Sequence, residues 1–456
     1  MKTIFKYLPL ALVLFLCNIS CKKGFLEAKP DKAILVPQTL DDLQALLDNL
    51  SVMNQTPFYQ LVSSDDLQIS DAGFLALPKS LRNAYTWQNN PFEGLDQVED
   101  WVYPYRQVFY SNIVLDALET NQESQDLKNQ IKGQALFFRA HAIYQLSQLF
   151  TKPYVSETAS STPGLIYPIV SDVNQRPERK TLEFTYQQML TDLATASALL
   201  QPLAKVKSRP SRAAAYALTA RIFLTMDNYN KADENAALAL AINSDLIDYN
   251  TLTARLTSGT RPFPQVLPNG NSEVLFYTAL PNNSFLTAAV SSPTVVNAEL
   301  FSLYANDDLR KPIFYVQRSD GRITFKGSYS GAISGTTFFS GIATDELYLI
   351  RSECQARLGR TTTAMGWLNN LLIKRWKTGT FVPYNANTPA EALSTILRER
   401  RKELVTRGIR WSDLKRLNTN PATAVNLSRS ISGSTFNLAP EDPRYVFPIP
   451  PQENIK

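Results

Sequence analysis

Hydrophobic residues recur at steps of three and four along several stretches of the chain, a spacing that places them on one face of an α-helix. The stretches 131–150 and 181–200 each predict one such helix. The runs 211–242 and 344–375 each predict two helices, joined at 227–230 and 358–360. The pattern therefore predicts helices that follow one another in pairs.

The two predicted pairs can be overlaid on each other. Ala232 then falls on Ala364, and Ala236 falls on Leu368, each at the same distance past its turn. Small residues near a turn let two helices approach closely, as in tetratricopeptide repeats. We therefore predict a mostly α fold, a tetratricopeptide-like scaffold of helical pairs with a loop-rich, partly β insert.

The segment 388–418 carries the clearest single helix signal. Thr388 is a favourable N-cap, Pro389 suits the first turn, and Glu391 is placed to complete a capping box. Gly408 is a natural stop. An apolar stripe is formed by Leu393, Ile396, Leu397, Leu404 and Val405.

Helical periodicity is lost in two segments, about 51–96 and 251–341. Glycine and proline are frequent in the second of them. We expect loops and short strands there, facing the ligand, because binding surfaces usually lie on loops carried by a rigid frame. The helical scaffold is then expected over about 39–50, 97–150, 181–243 and 342–418. No linker divides the chain, so a single domain is predicted.

The first residues have the layout of an export signal. Lys2 and Lys6 precede an apolar run over 8–16, which is too short to span a bilayer. Cys21 follows small Ser20, as at a bacterial lipoprotein cleavage site. We therefore predict a signal peptide over 1–20, a lipidated Cys21 and a mature chain of 21–456. Ordinary secretion, with Cys21 as a free thiol, is the alternative.

Composition excludes several classes of chemistry. The 456 residues contain one histidine, His141, and three cysteines, Cys17, Cys21 and Cys354. A Ser-His-Asp triad would have to use His141, and a multi-histidine zinc site or a disulfide framework is excluded. A binding protein, a scaffold or an enzyme that works with carboxylates remains. We expect no metal and no cofactor, with His141 and Cys354 as structural residues inside helices.

The charge balance does not favour nucleic acid as a partner. The net charge is +5, and removal of Lys2 and Lys6 with the signal, with no acid lost, lowers it to +3. The most basic run, 398–416, includes acids at helical spacing. We expect its arginines to pair with acids of a neighbouring helix, such as Asp345, Glu346 and Glu353.

Paired acids keep an enzymatic alternative open. They occur at 65–66, 307–308 and 345–346. A glycosidase needs two carboxylates held a fixed distance apart across a cleft, which sequence cannot show. A carboxylate-dependent glycan hydrolase therefore remains an alternative, as does a tetratricopeptide-type scaffold that binds another protein.

Aromatic residues in the two irregular segments are the candidate ligand contacts. Such a ring stacks on the apolar face of a sugar, and neighbouring amides accept and donate hydrogen bonds to its hydroxyls. Trp87 is the best single candidate, although for any one ring a covering role over the helical frame is favoured. The candidate binding residues are Trp87, Tyr85, Asn89, Asn90, Tyr329 and Phe338.

Several segments, in order along nearly the whole chain, resemble the SusD/RagB family of Bacteroidetes surface lipoproteins. The similarity lies in many short motifs in register, none of which is decisive alone. They include the ten residues from Cys21 to Pro30, Arg139-Ala140, Ser211-Arg212-Ala213-Ala214, Asp308-x-Arg310, Asp345-Glu346-Leu347, Glu399-Arg400-Arg401-Lys402-Glu403-Leu404, Asp413-Leu414-Lys415-Arg416 and Phe447-Pro448-Ile449-Pro450-Pro451.

The resemblance implies a function as well as a fold. It implies a lipid-anchored protein on the outer surface of the outer membrane, which binds an oligosaccharide, or a peptide, without catalysis. It also implies a partner, a SusC-like TonB-dependent transporter that receives the ligand. The resemblance agrees with the helical pairs, and it points to the irregular segments as the ligand-binding region.

Overall fold

The computed structural model describes residues 37, 39–172, 174, 178–252, 261–281, 284–286, 293–331 and 338–450. Cys21 and the predicted signal lie outside these residues. Within the described part of the chain, no helix combines the length and the apolar character needed to cross a membrane.

The described residues are mainly helical, which confirms the predicted fold class. The helices are α1 (Leu40–Leu47), α2 (Leu50–Met53), α3 (Tyr59–Ser63), α4 (Asp71–Ala76), α5 (Lys79–Tyr85), α6 (Glu99–Thr120), α7 (Gln125–Phe150), α8 (Leu182–Leu199), α9 (Arg212–Thr225), α10 (Tyr229–Ile242), α11 (Ala298–Ser302), α12 (Arg310–Phe314), α13 (Thr344–Arg357), α14 (Thr361–Leu372), α15 (Pro389–Glu403) and α16 (Arg410–Leu417).

The long helices pack as consecutive neighbours. α7 packs against both α6 and α8, while α9 pairs with α10, and α13 pairs with α14. Ala232, Ala236 and Ala364 are fully buried where these helices meet. The small side chains allow close approach, so the predicted pairs and their turns are confirmed.

Local capping explains where several helices begin. The hydroxyls of Thr181 and Ser211 accept hydrogen bonds from the backbone three residues later, at the starts of α8 and α9. Thr388 does the same for α15. The predicted capping box is only half present, because the Glu391 carboxylate accepts from the backbone of Asn387 instead of Thr388.

The signal over 388–418 corresponds to two helices, not one. α15 ends at Glu403, and α16 begins at Arg410. Gly408 lies between them with φ of +72°, a conformation that favours glycine. Leu404 and Val405, predicted on the helical stripe, therefore lie in the connection, where both are buried.

Short antiparallel strands occupy the predicted insert, as expected, and one further strand pair lies after it, within 427–438. The pairs are β1 (Leu67–Ile69) with β4 (Thr294–Val296), β2 (Val274–Phe276) with β8 (Ile342–Ala343), β3 (Ala279–Leu280) with β7 (Phe338–Phe339), β5 (Tyr315–Gln317) with β6 (Ile323–Phe325), and β9 (Leu427–Ile431) with β10 (Ser434–Leu438).

The segment 51–96 is more regular than predicted. It contains α3, α4 and α5, of five to seven residues each, which are too short to show a helical repeat in the sequence. Its strand β1 pairs with β4, with Leu67 opposite Val296. The two segments predicted as irregular are therefore joined to each other.

Charged side chains form a buried ion-pair network between α13, α15, α16 and the insert. The predicted pairs are confirmed: Arg407 lies 2.6 Å from Asp345, and Arg416 lies 2.6 Å from Glu353. We define the network as Arg221, Arg310, Arg375, Arg400, Lys402, Arg407 and Arg416 with Glu273, Asp308, Asp345, Glu346, Glu353, Glu399, Glu403 and Asp413.

The network fastens the insert to the helical frame. Arg375 follows α14 and is fully buried. Its guanidinium contacts Glu273, just before β2, at 3.0 Å and Glu403, the last residue of α15, at 2.7 Å. Because a buried charge without a partner is costly, these contacts fix how insert and frame are joined.

Candidate functional site

A cleft of about 600 Å³ lies where the end of α7, the end of α16 and the segment 441–449 meet. The volume is within the range of small-molecule sites. Its lining residues include Phe150, Lys152, Pro153, Val155, Arg179, Lys415, Asn418, Glu441, Asp442, Pro443, Tyr445, Phe447 and Pro448.

Aromatic contacts hold the C-terminal wall of the cleft in place. The backbone N–H of Phe447 donates to the carbonyl of Leu149 at 2.9 Å, which joins this wall to the end of α7. The Phe447 ring stacks on Phe92, and the Tyr445 ring packs on Trp411 at 4.8 Å between centroids. The wall is therefore supported from behind by buried rings.

Lys415 is the charged group at the bottom of the cleft. It is 4% exposed, and its ammonium donates to the carbonyls of Gln148 and Thr151, each at 2.7 Å. No described carboxylate lies within ion-pair distance of it. Burial lowers the pKa of Lys415 to about 7. These carbonyls end α7, so Lys415 also faces the negative end of that helix.

Two further polar atoms of the cleft lack a protein partner. The Tyr445 hydroxyl and the Asn418 side-chain nitrogen are buried, and neither makes a hydrogen bond of good geometry to a described group. Asn418 is near enough to moderate the pKa of Tyr445, which burial raises to about 12. An unsatisfied buried polar group costs about 1–3 kcal/mol, so each of these atoms would gain from a further hydrogen bond.

The predicted residues Tyr85 and Trp87 are buried in the core. Each is 3% exposed. The Trp87 indole N–H donates to the carbonyl of Ser63 at 2.9 Å, and the Arg429 guanidinium lies 4.5 Å from the Trp87 ring centre. In this conformation their faces are covered by protein, so ligand contact by these rings stays a prediction that their burial does not favour.

Asn89 and Asn90, in contrast, are exposed. Asn89 lines a small depression that shares Val446, Phe447 and Pro448 with the cleft. The loop selected from the sequence therefore adjoins the cleft at the 446–448 segment. Ligand contact by either asparagine stays a prediction.

Tyr329 and Phe338 belong to a different neighbourhood, and both are buried. The Tyr329 hydroxyl donates toward Glu273 at 2.8 Å and Asp345 at 3.1 Å, and Arg407 lies 4.0 Å from its ring centre. Tyr329 is thus part of the surroundings of the ion-pair network. Its neighbours are not those of Trp87, so the six candidates do not form one site.

Sequence reasoning did not select the polar groups of the cleft. Lys415 stands inside a motif quoted for the family resemblance, but nothing in the sequence distinguishes it from its neighbour Arg416. The exposure and the partners of each side chain depend on which elements meet. Only the tertiary contacts separate the two residues.

The remaining candidate chemical groups have structural surroundings. His141 is fully buried and stacks on Phe137, and burial together with the charge of Arg221 lowers its pKa to about 3. Cys354 is a buried free thiol. Among the described residues, no group of three or more histidine, cysteine, aspartate or glutamate side chains is arranged to hold a metal ion.

Two family models match the chain. Residues 24–224 match a model described as starch-binding, associating with the outer membrane, and residues 344–454 match the SusD family. The chain is also 25% identical over 248 residues to the SusD-like protein P2 of Formosa agariphila, a match that covers 52% of this chain and 46% of that protein. The matched region therefore spans less than half of that relative's length.

Solved structures share the fold over nearly the whole chain. A SusD superfamily protein of Bacteroides thetaiotaomicron superposes with a TM-score of 0.72 at 22% identity, covering 91% of this chain and 97% of that one. A protein of Bacteroides vulgatus described as sugar-binding superposes with a TM-score of 0.70 at 20% identity, covering 92% and 96%.

Proposed function

Because this chain belongs to the SusD/RagB family, we propose that it binds an oligosaccharide at the cell surface and delivers it to a SusC-like TonB-dependent transporter without catalysis. The observation that carries the binding function is the cleft at 441–449. It combines aromatic and proline walls with polar atoms that have no protein partner. This combination of an apolar surface and a few directed polar groups is typical of ligand sites.

The surroundings of the acidic residues support binding in preference to hydrolysis. A glycosidase acid or base must reach the scissile bond. Asp345 and Glu346 are buried and bound by arginines, at 2.6 Å from Arg407 and 2.5 Å from Arg221. Asp308 is bound in the same way by Arg310 at 2.7 Å. These carboxylates are occupied as structural counterions.

We further propose that Cys21 carries the lipid anchor of a mature single-domain chain, 21–456, because more than one acyl chain gives stable membrane attachment. Cys21→Ala should move the protein from the membrane fraction to the soluble fraction of cells. Cys354→Ala is the matched control, since that thiol is buried. Membrane retention of the Cys21 variant would contradict the anchor.

Binding and catalysis are separated by one experiment. The purified protein is run in affinity gels that contain individual polysaccharides, and the same mixtures are assayed for new reducing ends. Retardation without reducing ends is expected. Release of reducing ends would contradict a purely binding role, and absence of retardation across the panel would contradict glycan binding.

Delivery requires a partner, and the test is co-purification. The lipidated protein, expressed with a SusC-like transporter from its own genome, should co-purify with it from detergent-solubilised outer membranes. An unrelated TonB-dependent transporter is the control. Failure to co-purify with the matched transporter, while glycan binding persists, would contradict delivery and leave binding intact.

A further inference from the structure

The cations of the cleft differ from those of the ion-pair network. Lys152, Arg179 and Lys415 all line it, and none of the three lies within 4.0 Å of a described carboxylate. Arg179 is half-buried, and its guanidinium donates to the carbonyl of Gly164 at 2.5 Å. The three positive charges are therefore held at the cleft by carbonyls or solvent.

The acids of the cleft do not neutralise these charges. Asp442 is bound by Arg444 through two hydrogen bonds, at 2.9 Å and 2.7 Å, so its charge is already compensated. Glu441 is then the single remaining acid among the residues that line the cleft. Lys152 and Arg179, together with a partly protonated Lys415, outweigh this one acid, so the cleft carries an excess of positive charge.

Lys415 points to an anionic ligand as well. Its ammonium donates to two carbonyls, and no described group accepts its third proton. A hydrogen-bond donor beside further positive charges suits an anionic oxygen.

The apolar walls of the cleft add a second requirement for the ligand. Pro443 and Pro448 expose apolar surface at the cleft, which suits the flat side of a pyranose ring. Apolar surface and cations in one cleft are matched by a sugar that carries its own negative charge.

We propose that the cleft binds an acidic saccharide unit, whose carboxylate or sulfate is held by Lys415, Arg179 and Lys152. This inference rests on the proposed glycan-binding function and names its ligand class. It distinguishes this surface from the loop at Trp87.

The test is calorimetric titration of the full-length protein in detergent with three oligosaccharides of equal length. The uronate arm uses oligogalacturonate, the sulfate arm uses a carrageenan oligomer, and the neutral arm uses a malto-oligosaccharide. At least tenfold tighter binding is expected for one anionic arm than for the neutral arm, and the preferred arm identifies the anionic group. Raising the salt concentration should weaken binding of the preferred anionic oligosaccharide, because salt screens the charges of Arg179 and Lys152.

Variants connect binding to the cleft. Arg179→Gln combined with Lys152→Gln should weaken the preferred ligand at least tenfold, and Lys415→Met should do the same. Arg322→Gln, an exposed arginine in the turn between β5 and β6, is the matched control and should bind as the wild type does. If Lys415→Met folds poorly, the double variant Arg179→Gln with Lys152→Gln still tests the proposal.

The outcomes separate the two proposals. Equal affinity for neutral and anionic arms, or unchanged binding by the double variant, overturns the acidic-ligand inference while glycan binding stands. No binding of any saccharide, in these titrations and in the polysaccharide gels, overturns the proposed function and the inference with it.

Discussion

Lys415 and Arg416 are consecutive in the chain, are equally buried, and belong to different regions of the molecule. Arg416 lies in the ion-pair network, where both arms of its guanidinium bind Glu353 and its Nε binds Asp413. Lys415 lies at the cleft and binds two carbonyls. The charge of Arg416 is neutralised by carboxylates, whereas Lys415 is held by carbonyls alone beside a cavity, which directs attention to a ligand.

The largest expected losses of stability are for variants of the ion-pair network. Arg416→Met should lower the free energy of unfolding by about 3–5 kcal/mol, because it leaves buried carboxylates with weaker compensation. Urea unfolding at pH 7 measures this, with Lys415→Met as the matched neighbour. Equal losses in the two variants would remove the distinction between the regions.

Trp87→Ala should be destabilising to a similar degree, about 3–5 kcal/mol, because it deletes a buried ring and an indole hydrogen bond. Thermal and urea unfolding measure it. Asn89→Ala, two residues away and exposed, is the control and should change stability by less than about 0.5 kcal/mol. A stable Trp87→Ala protein with lost glycan binding would return Trp87 to the ligand site.

The next effect is a pH dependence in acid. Burial alone would raise the pKa of Glu353, but Arg416 and Arg357 hold it at about 2 instead of 4.5. Its stabilisation is complete above pH 4.5 and is lost as the pH falls toward 2, a change of roughly 3 kcal/mol. Glu353→Gln should remove this part of the acid dependence, while Glu391→Gln, at an exposed site, should not. Parallel pH profiles for wild type and Glu353→Gln would contradict the assignment.

Lys415 should show a pH dependence of the same sign, in the neutral to alkaline range instead of in acid. Its pKa is lowered in the folded state, so the unfolded chain binds more protons between pH 7 and 10.5, and stability rises through that window. Lys415→Met should change stability at pH 7 by no more than about 1 kcal/mol, because the lost carbonyl bonds and the relieved desolvation oppose each other. It should also flatten this rise. A loss as large as that of Arg416→Met would make Lys415 chiefly a structural cap of α7.

The smallest effect is expected for Tyr445→Phe. The hydroxyl has no partner, so its removal should leave the free energy of unfolding within about 1 kcal/mol of the wild type, with no loss of packing. Tyr186→Phe, which removes a buried hydroxyl that accepts a hydrogen bond from Gln148, is the paired control and should cost more. A reversed order would mean that the Tyr445 hydroxyl has a partner in the folded protein.

The sequence was informative where a local rule decides the structure. Thr181, Ser211 and Thr388 cap helices because a hydroxyl at that position meets the backbone three residues later. The pairing of Arg407 and Arg416 with acids of α13 could be predicted, since a basic run with few exposed counterions needs partners. The helix break at Gly408 was only partly predicted, because Leu404 and Val405 continue an apolar pattern that the connection also buries.

The candidate site was predicted less well, because a ring or an amide in an irregular segment carries no sign of its exposure. Four of the candidates are aromatic residues of the kind that bind sugars, yet they are buried like core residues: Tyr85, Trp87, Tyr329 and Phe338. Trp87 is covered by Arg429, which is more than 300 residues away in the chain. Such long-range contacts follow no local pattern.

By itself, the sequence determined the helical pairs, the capped helix starts, the need of the basic run for acidic partners and the family. The tertiary structure alone decided which of two adjacent basic residues is paired and which faces a cleft. Helix periodicity and capping act between residues three or four apart and are therefore written in the sequence. Burial, cavities and unpaired donors arise where α7, α16 and the 441–449 segment meet, and that meeting exists only in the folded chain.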